Sequence, residues 1–427
     1  MAAAQMDLRT AHPDQPWLWR ADWAAGEIHS SPKVKAIFFL LLTIFWNFCT
    51  FSALASLRSN VDPDRSKITA WLMLFPLIGI GLLLTAMRAL LQWRLYGEST
   101  FQLKLVPATI GGALEGVIRS SHSLPPMRPV KLHLTCINSV RGGDGKITDL
   151  PIWSDQLEVT TDGAGVIPVA IYIPPGCRPT ATEPLDDRVS WKLIVSATAN
   201  PVSYRAKFEV PIFATSETSA RASDADELRA QRDARVNAFQ PPEKSRIRVA
   251  LAADGSTEVF FLAFRNPAVA LALLGFLVLW IGLTIILFKD HAPLIFRIAW
   301  PFSDVLIGIW VLSLLFGSTS VHARNGDLTI VWRLLGIPLW SRHLSLSEID
   351  DIRSGSGTSA GNTVYRRIQI HRAGNAAISF GDGIADSIEA DWIASTIAKA
   401  VGLSGSASDR AKNFPARPPL SDYLRSR

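Results

Sequence analysis

Apolar residues gather into four runs along this chain, separated by segments in which polar and apolar positions alternate. The first run, Ala36 to Leu57, is AIFFLLLTIFWNFCTFSALASL, without one charge. A hydrocarbon core of about 30 Å takes roughly 20 helical residues at about 1.5 Å rise each. Lipid offers no partner to a free backbone group, so such a run predicts a membrane-crossing helix. It begins too late and is too aromatic for a cleaved leader. The second run spans 68–91 and carries Pro76, Gly79 and Gly81, which helices in lipid tolerate. The short link RSNVDPDRSK between the two makes them an antiparallel pair. The third run, 266–288, is again uncharged. The fourth, 294–317, follows a KDHAP link and contains Arg297 and Asp304. The pattern predicts two transmembrane hairpins, 36–91 and 266–317, with four spans in all.

Period-two alternation dominates elsewhere. Seven short strands lie within 100–213, beginning FQLKLVP, ALEGVIRS and VKLHLTCINSV and ending YRAKFEVPIF, with turn signals such as RGGDGK and TDGAG between them. This predicts an antiparallel β-sandwich. In the third strand Val130, Leu132, Leu134 and Cys136 face the core, and Lys131, His133 and Thr135 face out. Residues 215–245 are polar, with a linker helix from Ala222 to Val236 that stops before Pro241-Pro242. Residues 246–264 form a β-hairpin about Asp254-Gly255, expected to extend the sandwich or pack beneath it. From 318 to 402 come a hairpin around Asn325-Gly326, further strands, and a closing helix, Ile384 to Val401. That helix carries a stripe of Ile384, Ile388, Trp392, Ile397 and Val401. The tail, 403–427, is rich in Pro, Ser and Arg and is expected to be disordered. Ahead of the first run, residues 1–35 hold Trp17, Trp19 and Trp23, expected to lie in the headgroup zone, where an indole is half buried with its N–H wet.

Several pieces carry resemblances. The order GGALEGVI, KLHLTC, IPVAIYIP, SWKLIVSA, FEVPIF resembles arrestin-like or immunoglobulin-like sandwiches, which implies a binding platform and transfers no catalytic residue. Strands followed by one amphipathic helix, with the Ile-x-Ile strand and the Trp392-Ile393-Ala394 helix, resemble the small α+β pleckstrin-homology-like domains of bacterial membrane proteins. The whole order is similar to a group of uncharacterised multi-pass proteins of bacterial inner membranes, whose resemblance brings no activity with it. The fold class expected is therefore a multi-domain membrane protein: two transmembrane α-helical hairpins, a β-sandwich between them and a pleckstrin-like domain after them.

Composition sharpens this. The 427 residues are 48% hydrophobic and only 19% charged, which excludes a disordered chain, and three cysteines cannot staple a chain of this length. An even number of spans puts the N-terminus, the sandwich and the C-terminal domain on one side. Lys and Arg near the span ends favour that side, so it is expected to be cytoplasmic. The net charge of +6 suits anionic headgroups. The basic pair Arg366-Arg367 beside Tyr365 is too small a patch for nucleic acid.

No motif announces chemistry. Cys49, Cys136 and Cys177 lack zinc-ligand spacing, and the eight histidines are scattered. Gly357-Thr358-Ser359-Ala360-Gly361 spells a serine elbow but sits in a loop between strands, without the strand and helix that strain such a serine. No catalytic, cofactor-binding or metal-binding residue is assigned, and no cofactor. The remaining candidates are intramembrane polar groups: Asn47 in the first run, and Asp304 and Arg297 in the fourth. A carboxylate in lipid costs about 2.5–3.5 kcal/mol on insertion scales. Asp304 is expected to pack inward near Asn47, while Arg297 snorkels to the interface. The function expected is a non-enzymatic scaffold or binding protein at the cytoplasmic face of an inner membrane. Its partners would be the bilayer, a protein docked on the sandwich, or a second copy of the chain. The alternative is a transport or membrane-enzyme component that uses Asp304.

Overall fold

A computed structural model describes residues 8–58, 74–122, 130–141, 147–161, 165–181, 187–199, 201–215, 222–242, 245–252, 255–265, 267–289, 294–360, 363–372 and 375–403. The chain divides into two units, one running to Arg229 and one from Ala230. The expected tail, most of the first link and Asp254 of the predicted turn lie outside the described residues.

After a 3-10 turn, Pro16–Leu18, the first unit has a single helical turn, Ala21–Ala24, and β1 (Glu27–Ser30). Two long helices follow, α1 (Lys33–Arg58) and α2 (Leu74–Tyr96). Then come β2 (Ser99–Leu103), β3 (Ala108–Thr109), β4 (Ala113–Ser120), β5 (Val130–Arg141), β6 (Ile147–Val159), β7 (Ile167–Tyr172), β8 (Asp187–Ala197), β9 (Tyr204–Val210) and β10 (Ile212–Phe213). They form two four-stranded antiparallel sheets, β1-β2-β4-β7 and β6-β5-β8-β9, with a small parallel pair β3-β10. One core joins both sheets, with Phe101 and Ile118 from the first and Leu132, Leu134, Trp191 and Phe208 from the second. All seven predicted strands are present. Thr135 departs from the expected outward exposure: it is buried where β5 lies between β6 and β8.

An eighth strand was not foreseen. β1 pairs with β2, Ser30 opposite Ser99, so the α1–α2 pair is an insertion between two neighbouring strands. Trp23, expected in a headgroup zone, is 1% exposed within the sandwich core, where its Nε1 donates to the Glu209 carbonyl. A tryptophan cluster satisfies a protein core as well as an interface, and only the pairing of β1 decides between them.

The second unit holds α3 (Ala222–Asn237) for the most part, then β11 (Ile247–Leu251), β12 (Thr257–Phe261), α4 (Pro267–Lys289), α5 (Leu294–Phe316) and β13 (Gly317–Arg324). After these come β14 (Asp327–Leu334), β15 (Ile337–Ser345), β16 (Asp351–Ala360), β17 (Thr363–Arg372), β18 (Asn375–Ile384) and α6 (Ser387–Val401). The sheets are β11-β12-β13-β14-β15 and β16-β17-β18. The 246–264 hairpin therefore joins the C-terminal sheet, not the sandwich. Its β12 pairs with β13, Phe261 opposite Thr319, across the whole α4–α5 insertion.

The closing helix begins at Ser387, where the Asp386 carboxylate accepts from the Ile388 N–H at 2.8 Å. It ends at Gly402, whose φ of 99° suits glycine. Its buried face is Ala390, Ile393, Ala394, Ile397, Ala398 and Val401, one step round from the predicted stripe, because alanines let the helix approach the sheet closely. Trp392 packs instead on Phe239. The linker helix α3 is not merely solvated: Arg232 pairs with Asp391 of α6 at 2.5 Å.

By length and composition two helices are long and apolar enough to cross a membrane, over Lys33–Ser52 and Ile78–Tyr96. In α4 and α5 the apolar stretches among the described residues, Val269–Gly282 and Trp300–Phe316, are shorter than these two. Two candidates rather than the expected four are thus seen.

Candidate functional site

The polar candidates of the apolar runs belong to different units. Asn47 is spent within its own helix pair. Its Nδ2 donates to the Thr43 carbonyl at 2.8 Å and, at 3.5 Å, to the Gly79 carbonyl of α2. Gly79 makes this approach possible, since a Cβ there would stand 2.4 Å from Asn47 Oδ1. Small residues and cross-helix amides join helices in this way in apolar surroundings. Asp304 lies in α5 with Oδ1 buried and without a hydrogen-bond partner among the described residues. Arg297 lies in α5, and its side chain is outside the described residues.

The serine-elbow letters lie largely in β16, an antiparallel strand whose Ser359 is opposite Val364, which is no place for a strained nucleophile. Cys136 is buried, and burial with neighbouring Cys177 pushes its thiol up. Among the described residues no group of three His, Cys, Asp or Glu is gathered to hold a metal.

One incompletely satisfied polar group outside the helices is an arginine that pattern reading passed over. Arg265 follows β12 and precedes α4. Its guanidinium stands 5.4 Å from the Phe261 ring centre, and its Nη1 is buried without a hydrogen-bond partner among the described residues. No carboxylate lies within ion-pair distance of it among the described residues. Burial pulls its pKa down to about 10, offset only in part by Asp382. Arg265 opens on a pocket of about 260 Å³, whose walls include Thr319, Trp332, Trp340, Ser379 and Asp382. Each wall has a reason in the sheet. Trp332 and Trp340 are directly opposite across β14 and β15. Thr319 sits on β13, two residues beyond the start of that strand. Gly381, at φ 68°, lets β18 press on Phe261, because a Cβ there would meet the ring at 2.6 Å.

The rim beside this pocket is apolar. Between β14 and β15 the chain turns through Leu335 and Gly336, at φ 53° and 83°, the left-handed pair that a two-residue hairpin requires. The Leu335 N–H donates to the carbonyl of Phe316, the last residue of α5, at 3.4 Å. Leu335, Ile337, Leu339 and Trp340 are all exposed, from 41% to 61%. A soluble surface rarely gathers so many large apolar side chains at one hairpin tip. Asparagine-glycine marks the β13–β14 turn in the sequence, whereas Leu335-Gly336 gives no comparable signal.

The chain matches no protein-family model and no curated protein sequence. Among solved structures it has a distant similarity to Spo0M, a sporulation control protein from Bacillus subtilis. The two are 10% identical with a TM-score of 0.22, over 58% of this chain and 90% of that one. A likeness at that level bears neither on the fold in detail nor on function.

Proposed function

We propose that this chain is a multi-pass protein of a bacterial inner membrane, a non-enzymatic scaffold or binding protein whose β-bodies stand at the cytoplasmic face. The observation that carries the reading is the outer surface of the helix pairs. On α1, Phe38, Phe45, Phe48 and Phe51 are each at least 59% exposed, and on α5 so are Phe302 and Val305. At about 25 cal/mol per Å² of apolar surface, such faces call for a lipid solvent. The 23 residues of α4 and of α5 suffice to cross once each, so four spans remain the reading, with Arg297 near one interface. Each pair leaves and re-enters a single sheet, so both ends of each pair face one side. The sandwich has open strand edges that suit a protein partner.

Alkaline extraction tests the membrane reading and reporter fusions at residue 62 and the C-terminus test the topology. The expected result is retention in the pellet, with the two reporters on opposite sides. Release to the supernatant without detergent would sink the reading. A second reading rests on Asp304, whose buried, unpartnered Oδ1 fits a transport or membrane-enzyme component. It is preferred if Asp304→Asn leaves abundance unchanged and abolishes a measured ion flux.

A further inference from the structure

We propose that the Arg265 pocket binds the headgroup of a zwitterionic phospholipid. The phosphodiester would be held by Arg265 with the hydroxyls of Thr319 and Ser379, and the ammonium by Asp382 and the faces of Trp332 and Trp340. The inference rests on the membrane reading above and adds a ligand class to it.

The physical case starts from Arg265. A guanidinium offers five N–H donors in a planar fork matched to phosphate. Leaving such a donor buried and unbonded is costly, and protein interiors rarely do so without a ligand to complete it. The cavity it opens on, about 260 Å³, is many times what a single water needs, about 10–15 Å³. The two threonine and serine hydroxyls add neutral donors, so an oxyanion is the group that completes this end.

The lining is not cationic throughout. Asp382, an exposed carboxylate in that lining, repels a purely anionic ligand. Beside it stand Trp332 and Trp340 on adjacent strands; the Arg342 guanidinium lies 5.8 Å from the Trp340 ring centre, as aromatic rings attract cations. One cation and one carboxylate in the lining of a single pocket, with two tryptophans beside them, match a phosphate and an ammonium joined by a short linker. The source is a lipid and not a free metabolite because of what surrounds the pocket. Arg265 stands just ahead of α4, and the apolar tip Leu335–Trp340 touches the end of α5. A headgroup at that depth carries its acyl chains toward the exposed faces of α4 and α5.

The test uses the full chain, reconstituted in nanodiscs with equal phosphatidylethanolamine and phosphatidylglycerol, then stripped with detergent and assayed for retained lipid by mass spectrometry. Wild type is expected to retain phosphatidylethanolamine preferentially, at about one per chain. Arg265→Gln is expected to lose at least tenfold of that retention while melting no lower than wild type, since an unpaired buried charge has been removed. Trp340→Ala, at a half-exposed position, should lose severalfold. Asp382→Asn should shift the retained lipid toward phosphatidylglycerol. Inorganic phosphate and soluble phosphoethanolamine, each at millimolar concentration, should neither displace the lipid nor raise the melting temperature.

Unchanged retention in both Arg265→Gln and Trp340→Ala would overturn the proposal, as would equal stabilisation by free phosphoethanolamine. Alkaline extraction of the same wild-type preparation separates the two failures. Protein that stays in the pellet but retains no lipid refutes the pocket alone, and protein that leaves the pellet refutes the membrane reading.

Discussion

The two units share one architectural device and treat its junction in opposite ways. In each, a pair of apolar helices is inserted between two strands that are neighbours in a sheet, Ser30 against Ser99 in the first and Phe261 against Thr319 in the second. The first junction is closed by polar pairing. Tyr96 Oη donates to the Val202 carbonyl at 2.5 Å, Gln92 Nε2 to the Arg205 carbonyl at 2.9 Å, Tyr204 Oη to Ser99 Oγ at 2.9 Å, and Ser31 Oγ to Glu98 at 3.0 Å. The second leaves a guanidinium donor without a partner among the described residues, beside a cavity and an apolar hairpin tip. Where the same construction is sealed in one place and open in another, the open place is where to look for a ligand. The helix pairs differ too. α1 and α2 meet through Asn47 and Gly79, whereas α4 and α5 meet through Trp280 and Trp300, stacked at 5.2 Å, with Trp280 Nε1 donating to Ser303 Oγ at 2.9 Å.

The comparison can be broken most forcefully at the cores. Trp191→Ala removes an indole that is fully buried against Trp153, and should cost the sandwich about 3–5 kcal/mol. Hydrogen exchange should show the first unit opening while the second keeps its protection, and loss of protection in both would mean that they do not unfold separately. Next in size, Asp391→Ala leaves Arg232 and Arg366 buried without their shared carboxylate, at a cost of about 3 kcal/mol confined to the second unit. Denaturant unfolding monitored through cleavage near α6 checks this.

A pH experiment sharpens the account of the sealed junction. Burial raises Tyr204 to about 12 from an ordinary value of 10.0. An acid whose folded pKa is raised contributes stability in full below the unfolded pKa and loses it as pH climbs to the folded one. Absorbance titration should therefore show one tyrosine ionising only as the sandwich melts, in the window from about 10 to 12, and Tyr204→Phe should remove that component. Smaller still, Asn47→Leu should weaken the α1–α2 pair by about 1 kcal/mol, read as reduced disulfide trapping between cysteines placed on the two helices. Last, Leu335→Gly relieves a left-handed leucine worth about 1 kcal/mol and should raise the melting temperature of the second unit in detergent by a few degrees.

The sequence shows local periods well and long-range closure poorly. The seven sandwich strands, the bounds of α1 and α3 and the Asn325-Gly326 turn are all legible, because each is written within a dozen neighbouring residues. β1 is not, because its partner β2 lies beyond two helices and its four residues carry no pattern of their own. The same gap misassigned β11 and β12, whose partner β13 is separated from them by α4 and α5. Of the site, Asp304 stood out because a charge in an apolar run is conspicuous. Arg265 did not: an arginine ahead of a span reads as an interfacial anchor, and only the fold reveals that its donors are buried. Nor could spacing show that Trp332 and Trp340 face each other, since the turn between them lacks the usual asparagine.

The insertion of helices between neighbouring strands also bears on how each sheet is built. Closing a loose loop of roughly 70 residues, such as 31–98, costs about 4 kcal/mol in chain entropy. A helix pair zipped together beforehand delivers both of its ends already side by side, so the seam strands meet as though joined by a tight turn. Each β-body would then wait, half made, for its helix pair to form, and a chain that failed at that step would display an unpaired strand edge.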